Sequence, residues 1–104
     1  MEEYWIDIQD QLNRVAYVYG NEKRYEKLVP VVLNELKANE GMKCVLDLGH
    51  IKKMNKELVE VIANVLKAYG LKGNNIHAAF ASDVDKETFR ELFPEMLAEY
   101  IILI

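Results

Sequence analysis

Residues 43–70 read KCVLDLGHIKKMNKELVEVIANVLKAYG, and this stretch predicts a strand, a loop and a helix in succession. Residues 43–48 are apolar on both faces apart from their ends, which is typical of a buried strand whose neighbours run parallel to it. A short basic loop follows, and Asn55 then occupies the position of a helix N-cap. Apolar residues recur at helical spacing as far as Gly70, where a glycine in the left-handed conformation is predicted to end the helix.

Segments on the N-terminal side of this unit are predicted to form a hairpin followed by a helix. Residues 4–9 alternate between apolar and polar side chains, as a half-buried strand does, and residues 15–19 form a second strand close behind. Strands so close in sequence are expected to pair antiparallel. The next helix, over 25–36, contains Pro30, which either kinks the helix or begins its regular part.

The rest of the chain predicts one more helix between two strands. A turn is expected at 72–75, a buried strand at 76–81, a helix capped by Ser82 and a short closing strand at 101–104. The resulting order is β-β-α-β-α-β-α-β. It predicts a single α/β domain over residues 1–104, with a mixed, mainly parallel sheet of five strands that includes the N-terminal antiparallel hairpin.

Composition restricts the function classes. The chain has 104 residues, of which 51% are hydrophobic, and this suits one domain with one core. Its formal net charge of -4 argues against a nucleic-acid partner, since such proteins usually carry a basic stripe. The acidic N-terminus lacks a signal-peptide pattern and no segment is apolar enough for membrane insertion, so a cytoplasmic protein is expected. The single cysteine, Cys44, is expected to be a small buried residue.

Catalytic and metal-binding patterns are missing from the sequence. It shows no Ser-His-Asp set, no metal-ligand spacing and no phosphate-binding glycine loop, so we predict no enzyme, no cofactor and no metal. His50 and His77 are expected at opposite ends of the sheet. A chemical role for Asp47 would require a second acid, and none is expected near the end of the first parallel strand. Asp47 is therefore predicted to accept N–H groups of its own loop, with Gly49 in the turn.

Basic residues surround the predicted helix start. One interpretation is an electropositive surface that binds an acidic partner or a phosphate, and the other is a solvated loop whose lysines keep the protein soluble. Positive charge at a helix N-terminus opposes the helix dipole by roughly a few tenths of a kcal/mol, which leaves both interpretations open. The candidate partner-binding residues are His50, Lys52, Lys53, Asn55, Lys56, Glu57 and Glu60.

Trp5 falls on the more polar face of the first predicted strand. It is interpreted as an edge aromatic that covers part of the core. The alternative is an aromatic that docks a partner.

The order of elements and a few residues resemble the STAS domain, the family of anti-sigma factor antagonists that also occurs in stressosome proteins and anion transporters. The residues that carry the resemblance are Gly20 after a predicted strand, the strand end Asp47-Leu48-Gly49, Ile51, the Asn55 cap and the helix end at Gly70. In that family a serine near the helix start is phosphorylated by a partner kinase. Lys56 is the counterpart of that serine, and a lysine has no hydroxyl to accept the phosphate.

The resemblance implies a STAS-like fold and a non-catalytic regulatory or scaffold domain of the bacterial sigma-factor or stress-signalling type. Such a domain would bind a protein partner, either an anti-sigma or kinase-like protein or a scaffold protein, through residues 50–60, without a phosphoserine switch. A homodimer is compatible with this function. The alternative is a STAS-type adaptor subunit of a lipid or anion transporter, which would need a permanent partner to cover an apolar patch.

Overall fold

Strands and helices alternate along most of the chain in the computed structural model, which describes residues 2–71 and 75–104. The strands are β1 (Glu3–Asp7), β2 (Lys43–Asp47), β3 (Ile76–Ala79) and β4 (Ile102–Leu103). The helices are α1 (Ile8–Tyr19), α2 (Arg24–Ala38), α3 (Lys56–Tyr69) and α4 (Asp83–Leu92), with 3-10 helices at Asn21–Lys23 and Glu95–Tyr100. The turn predicted at 72–75 falls largely on residues 72–74, outside the described part of the chain.

The strands form one sheet in the order β1-β2-β3-β4, and each neighbouring pair is parallel. The predicted α/β domain is confirmed, and β2 lies in the interior of the sheet between β1 and β3, as its apolar sequence indicated. The prediction of five strands with an antiparallel hairpin is wrong, because the sheet of the described residues has four strands and all of them are parallel.

The second strand of the predicted hairpin, at 15–19, lies instead in α1. Asp7 caps this helix, since its Oδ1 atom accepts a hydrogen bond from the backbone N–H of Asp10 at 3.0 Å. Apolar residues at helical spacing then form a buried stripe: Ile8, Leu12 and Val15. The apolar residues that alternate within 15–19 contribute less to the core, since Tyr17 is 93% exposed.

The main core lies on one face of the sheet. Each crossover moves one strand further in the same direction, and right-handed crossovers of this kind place their helices on the same side. The core residues Ile6, Leu46 and Ala78 lie in register on that face. Cys44 is 2% exposed there, as predicted, and burial raises the pKa of its thiol.

The long helix α2 fixes the connection between β1 and β2. It begins at Arg24, so Pro30 lies inside the helix and does not begin its regular part. The missing N–H of Pro30 leaves the carbonyl of Glu26 without its usual intrahelical donor, and Pro30 lies on the exposed side. Tyr4 of β1 donates a hydrogen bond to the Glu35 carboxylate, and this bond raises the pKa of Tyr4.

The strand, loop and helix predicted over residues 43–70 are present. Five residues of α3 were predicted to face inward. Leu58, Ile62, Val65 and Leu66 are buried, and Tyr69 is partly buried against the core. Gly70 follows the helix with a φ of 95°, the left-handed region that glycine enters without strain. Within residues 2–71 and 75–104, no helix is both long and apolar enough to cross a bilayer.

Candidate functional site

The ends of β1 and β2 bring two carboxylates together at the carboxyl edge of the sheet. Asp7 and Asp47 are the last residues of these strands and are direct partners in the register. In open parallel sheets this edge is where ligands usually bind. Each carboxylate uses one oxygen to hold its own connection. Asp7 Oδ1 caps α1, and Asp47 Oδ1 accepts a hydrogen bond from the Gly49 N–H at 2.9 Å, which confirms the predicted role of Asp47.

His50 lies between the second oxygens of these carboxylates. Its Nδ1 atom is 3.1 Å from Asp7 Oδ2 and 3.9 Å from Asp47 Oδ2. We call these three residues the Asp-His cluster. The expectation that no second acid lies near Asp47 is wrong, because Asp7 ends a parallel strand beside β2 rather than the first strand of a hairpin.

The start of α3 is organised by Asn55. Its Oδ1 atom accepts a hydrogen bond from the Leu58 N–H at 2.9 Å, so the predicted N-cap is confirmed. Its Nδ2 atom donates to the Tyr25 hydroxyl at 3.1 Å and thereby joins the first turn of α2 to the start of α3. Both ends of this half-buried amide are therefore engaged in structural hydrogen bonds, and Asn55 positions the surface rather than presenting a free group to a partner.

A cavity of about 260 Å³ opens between α1, α2 and the loop before α3. Three basic residues are among those that line it, Lys52 and Lys53 from the loop and Arg24 from the first turn of α2. The Arg24 guanidinium also donates a hydrogen bond to the Asn21 carbonyl and lies 4.5 Å from the centroid of the Tyr25 ring. The apolar wall of the cavity is formed by Leu12, Ile51 and Leu58. Arg24 was missed by the sequence analysis because it is separated from Lys52 by most of α2 and all of β2, and only the packing of the helices brings the two together.

The remaining residues predicted to bind a partner lie on the outer side of α3. Lys56 is exposed, and its Nζ atom is 3.9 Å from the Glu60 carboxylate one turn further along the helix. Glu57 is exposed as well. The predicted residues thus fall on three adjoining features: the Asp-His cluster, the basic cavity and the exposed first turns of α3.

His77 does not join His50. It lies beside Val45 in the register, within β3, whereas His50 follows the carboxyl end of β2. His77 is the second residue of its strand, so the two histidines lie toward opposite ends of the strands, as expected.

The face of the sheet opposite the main core is a second candidate surface. Trp5, Val45, His77 and Ile102 form one row across the four strands. Trp5 is 49% exposed and Ile102 is 41% exposed, and neither belongs to the helix-packed core. Trp5 is on an edge strand, as predicted, and its register neighbour Val45 is 0% exposed although it lies outside the helix-packed cluster.

An ion pair lies beside this row. Lys43 Nζ is 2.9 Å from the Glu3 carboxylate, and the lysine holds the pKa of that carboxyl below its usual range. The row itself consists of two aromatic rings and two aliphatic side chains. The charged pair lies beside it, at the amino ends of β1 and β2.

A larger cavity, of about 590 Å³, lies at the other side of the domain beside α4. Its walls include Phe89, Phe93 and Ile101, and its charged groups are the exposed Arg90, Glu91 and Glu95. The Arg90 guanidinium already pairs with Glu87 one turn earlier in α4. This cavity therefore offers an apolar recess but no convergent set of acids, bases and nucleophiles.

Comparison with known proteins found no matching family model, no matching curated protein and no matching solved structure. The resemblance to the STAS domain therefore stays a prediction.

Proposed function

We propose that this chain is a non-catalytic regulatory or scaffold module that binds a protein partner through the basic surface at the start of α3, in the manner of a STAS-type sigma-factor or stress-signalling domain. The observation that carries the proposal is the convergence of Arg24, Lys52 and Lys53 on one cavity. These cations come from separate segments of a chain whose net charge is -4. A cationic recess on an acidic protein favours an acidic partner segment, because complementary charge speeds association and sets orientation.

Stability of the helix does not account for these lysines. Positive groups near a helix N-terminus oppose its dipole. The ion pair of Lys56 with Glu60 joins two exposed side chains 3.9 Å apart, and such pairs contribute little. Helix stability does not explain the positive charge at this surface, whereas binding of an acidic partner would explain it.

The proposed module has no phosphoserine switch at this surface. Ser82 and Thr88 are the only serine and threonine of the whole chain. Ser82 Oγ accepts the capping hydrogen bond of α4, and Thr88 donates a hydrogen bond to the Val84 carbonyl one turn earlier in the same helix. Regulation of the α3 surface by phosphorylation of a serine or threonine within it is therefore excluded by composition.

Site-specific photocrosslinking in the native cell tests the proposal. A photoreactive benzoylphenylalanine replaces Lys56 in one strain and Lys67, an exposed lysine in the last turn of the same helix, in the other. We expect a discrete protein crosslink at position 56 and none at position 67. Equal crosslinking at both positions, or none at either, would contradict the proposal.

Charge reversal then tests the cavity with the partner captured in this way. The double variant Lys52→Glu/Lys53→Glu is expected to raise the Kd roughly tenfold or more, since it inverts the charge of a complementary surface. Lys67→Glu is the matched control, and its Kd should stay close to that of the wild type. The affinity should also fall as salt is added, because exposed charges are screened within about 8 Å at physiological ionic strength.

A second candidate function is the adaptor subunit of a lipid or anion transporter. The partly exposed Trp5 and Ile102, at the two ends of the row, favour it, because a subunit in a permanent complex would have such side chains covered. The same crosslinking experiment separates the two functions. A photoreactive group in place of Trp5 would capture the partner of an adaptor, whereas the group at position 56 would capture the partner of the regulatory module.

A further inference from the structure

We propose that the Asp-His cluster is a binding site for a divalent transition-metal ion, with Zn²⁺ as its best-fitting occupant. The ligating atoms would be Asp7 Oδ2, Asp47 Oδ2 and His50 Nδ1, all of which lie within 4.8 Å of one another. Metal–ligand bonds of about 2.0–2.2 Å place neighbouring ligand atoms about 3–4 Å apart. The two separations measured from Nδ1, 3.1 Å and 3.9 Å, fall in this range.

The orientation of both carboxylates is already fixed by backbone groups. The Asp10 N–H holds Asp7 Oδ1 at 3.0 Å, and the Gly49 N–H holds Asp47 Oδ1 at 2.9 Å. In both cases the other oxygen is the one that approaches His50. Outer hydrogen bonds of this kind are what orients carboxylate ligands in metal sites.

Gly49 leaves space for this orientation. A Cβ atom built at residue 49 would lie 2.9 Å from Asp47 Oδ1, a contact that forces one of the two to move. The φ of Gly49 is not positive, so the backbone itself would accept another residue. The absence of a side chain at residue 49 therefore leaves room for the Asp47 carboxylate.

The ligand types select the class of metal. An imidazole nitrogen with two carboxylates suits Zn²⁺ and neighbouring first-row ions, whereas Mg²⁺ and Ca²⁺ prefer sites made of oxygen alone. The side chains of Asp7 and His50 are partly open to solvent, with exposures of 40% and 67%. Three protein ligands in an accessible site leave a coordination position for water or for a group from another molecule.

The proposed metal site does not depend on the proposed protein partner. The cluster shares His50 with the candidate partner-binding residues, but its two aspartates belong to the sheet and not to the basic surface. A bound ion would tie the loop after β2 to the ends of both strands.

Titration calorimetry of the full chain, free of any histidine tag, tests the site with ZnCl₂ alone and with MgCl₂ alone. We expect one Zn²⁺ per chain and at least tenfold weaker binding of Mg²⁺. Asp7→Asn and Asp47→Asn should each weaken Zn²⁺ binding tenfold or more, while the amide oxygen keeps the hydrogen bond to the Asp10 or Gly49 N–H. His50→Ala should weaken it at least as much.

Matched controls distinguish a site from general attraction of cations. Asp10→Asn removes one negative charge beside the cluster, and His77→Gln removes the other histidine of the chain. Both should keep the wild-type affinity for Zn²⁺. The melting temperature of every variant without metal shows whether its fold is intact.

Gly49→Ala gives a second approach that leaves all three ligands in place. The crowded Asp47 carboxylate should then bind Zn²⁺ more weakly than in the wild type, with a changed visible spectrum when Co²⁺ replaces Zn²⁺. The proposal is overturned if the wild type binds no stoichiometric Zn²⁺, if His50→Ala binds as tightly as the wild type, or if Asp10→Asn and His77→Gln lose affinity to the same extent. Each of these results would leave an ordinary hydrogen-bonding contact between His50 and Asp7.

Discussion

The starts of α3 and α4 are capped by the same kind of hydrogen bond but differ in the charged residues around the cap. Asn55 Oδ1 accepts a hydrogen bond from the N–H three residues later at 2.9 Å, and Ser82 Oγ does the same at 3.1 Å. The first turn of α4 then contains Asp83 and Asp85, as the helix dipole favours. At α3 two lysines precede the cap and Lys56 follows it, and Glu57 is the acid of the first turn. The acids of α4 are explained by helix stability, and the lysines of α3 are not, which is why the start of α3 is the better candidate for recognition.

The two helix starts differ in packing as well. Leu58, three residues after its cap, is 2% exposed, whereas Val84, two residues after its cap, is 74% exposed. The basic surface therefore stands on a rigid support, while the acidic helix start of α4 lies at the periphery. A binding surface benefits from such a support, because little ordering is then required on association.

The largest expected difference between the two helix starts is in their apolar residues. Leu58→Ala should lower the free energy of unfolding by about 2–5 kcal/mol, because it leaves a cavity in the core. Val84→Ala should change it by less than about 0.5 kcal/mol, since the side chain is already in solvent. Urea denaturation measures both. Similar losses for the two variants would show that α4 is packed more tightly than its exposure indicates.

The caps should differ by less. Asn55→Ala and Ser82→Ala should each lower the free energy of unfolding by about 1 kcal/mol, the usual contribution of a cap. Asn55→Ala should have the larger effect, because the Tyr25 hydroxyl also loses its donor. Asn55→Asp separates the contributions, since the carboxylate restores the cap but cannot donate to Tyr25. An equal loss for Asn55→Ala and Ser82→Ala would mean that the bond to Tyr25 contributes nothing measurable.

The smallest expected effects come from the charges. Asp83→Asn should lower the free energy of unfolding by about 0.3 kcal/mol, because a favourable charge near a helix N-terminus is lost. Lys56→Gln should not lower it, since this change removes an unfavourable charge and only a weak exposed pair with Glu60. Thermal unfolding at low ionic strength measures the change in the free energy of unfolding for each variant. The difference should shrink in about 1 M salt, and one that persists there would not be electrostatic.

The unit of β2, loop and α3 could be predicted from the sequence because its signals are local. The cap at Asn55, the buried stripe containing Leu58 and the glycine at residue 70 each act within a few positions of the chain. The same holds for the hydrogen bond that Asp47 accepts from its own loop. Short-range geometry decides all of these features, and short-range patterns therefore reveal them.

The first helix could not be predicted in this way. Residues 15–19 alternate like a strand and are rich in the β-branched and aromatic residues that strands favour. The cap at Asp7 and the spacing of Ile8, Leu12 and Val15 compete with that pattern, and burial of this stripe against the rest of the domain decides the outcome. The acid at residue 7, directly before an apolar helical stripe, was the available signal for a helix N-terminus.

The two assembled sites depended on that first helix and on long-range contacts. Asp7 and His50 are 43 residues apart, and they meet only because β1 and β2 are parallel neighbours. Arg24 reaches the cavity of Lys52 and Lys53 only through the packing of α2. Because a hairpin was predicted in place of α1, neither the Asp-His cluster nor the basic cavity could be predicted.

The position of Cys44 makes it a reporter of how the molecule opens. Its sulfur belongs to β2, one of the two strands that have a neighbour on each side, whereas the two-residue β4 closes one edge. A thiol reacts as its thiolate, and burial disfavours that form here, so a labelling reagent must wait until the middle of the sheet separates. Fraying of the edge leaves the thiol protected. The rate at which Cys44 is labelled therefore measures how often the sheet opens, and no engineered cysteine is needed.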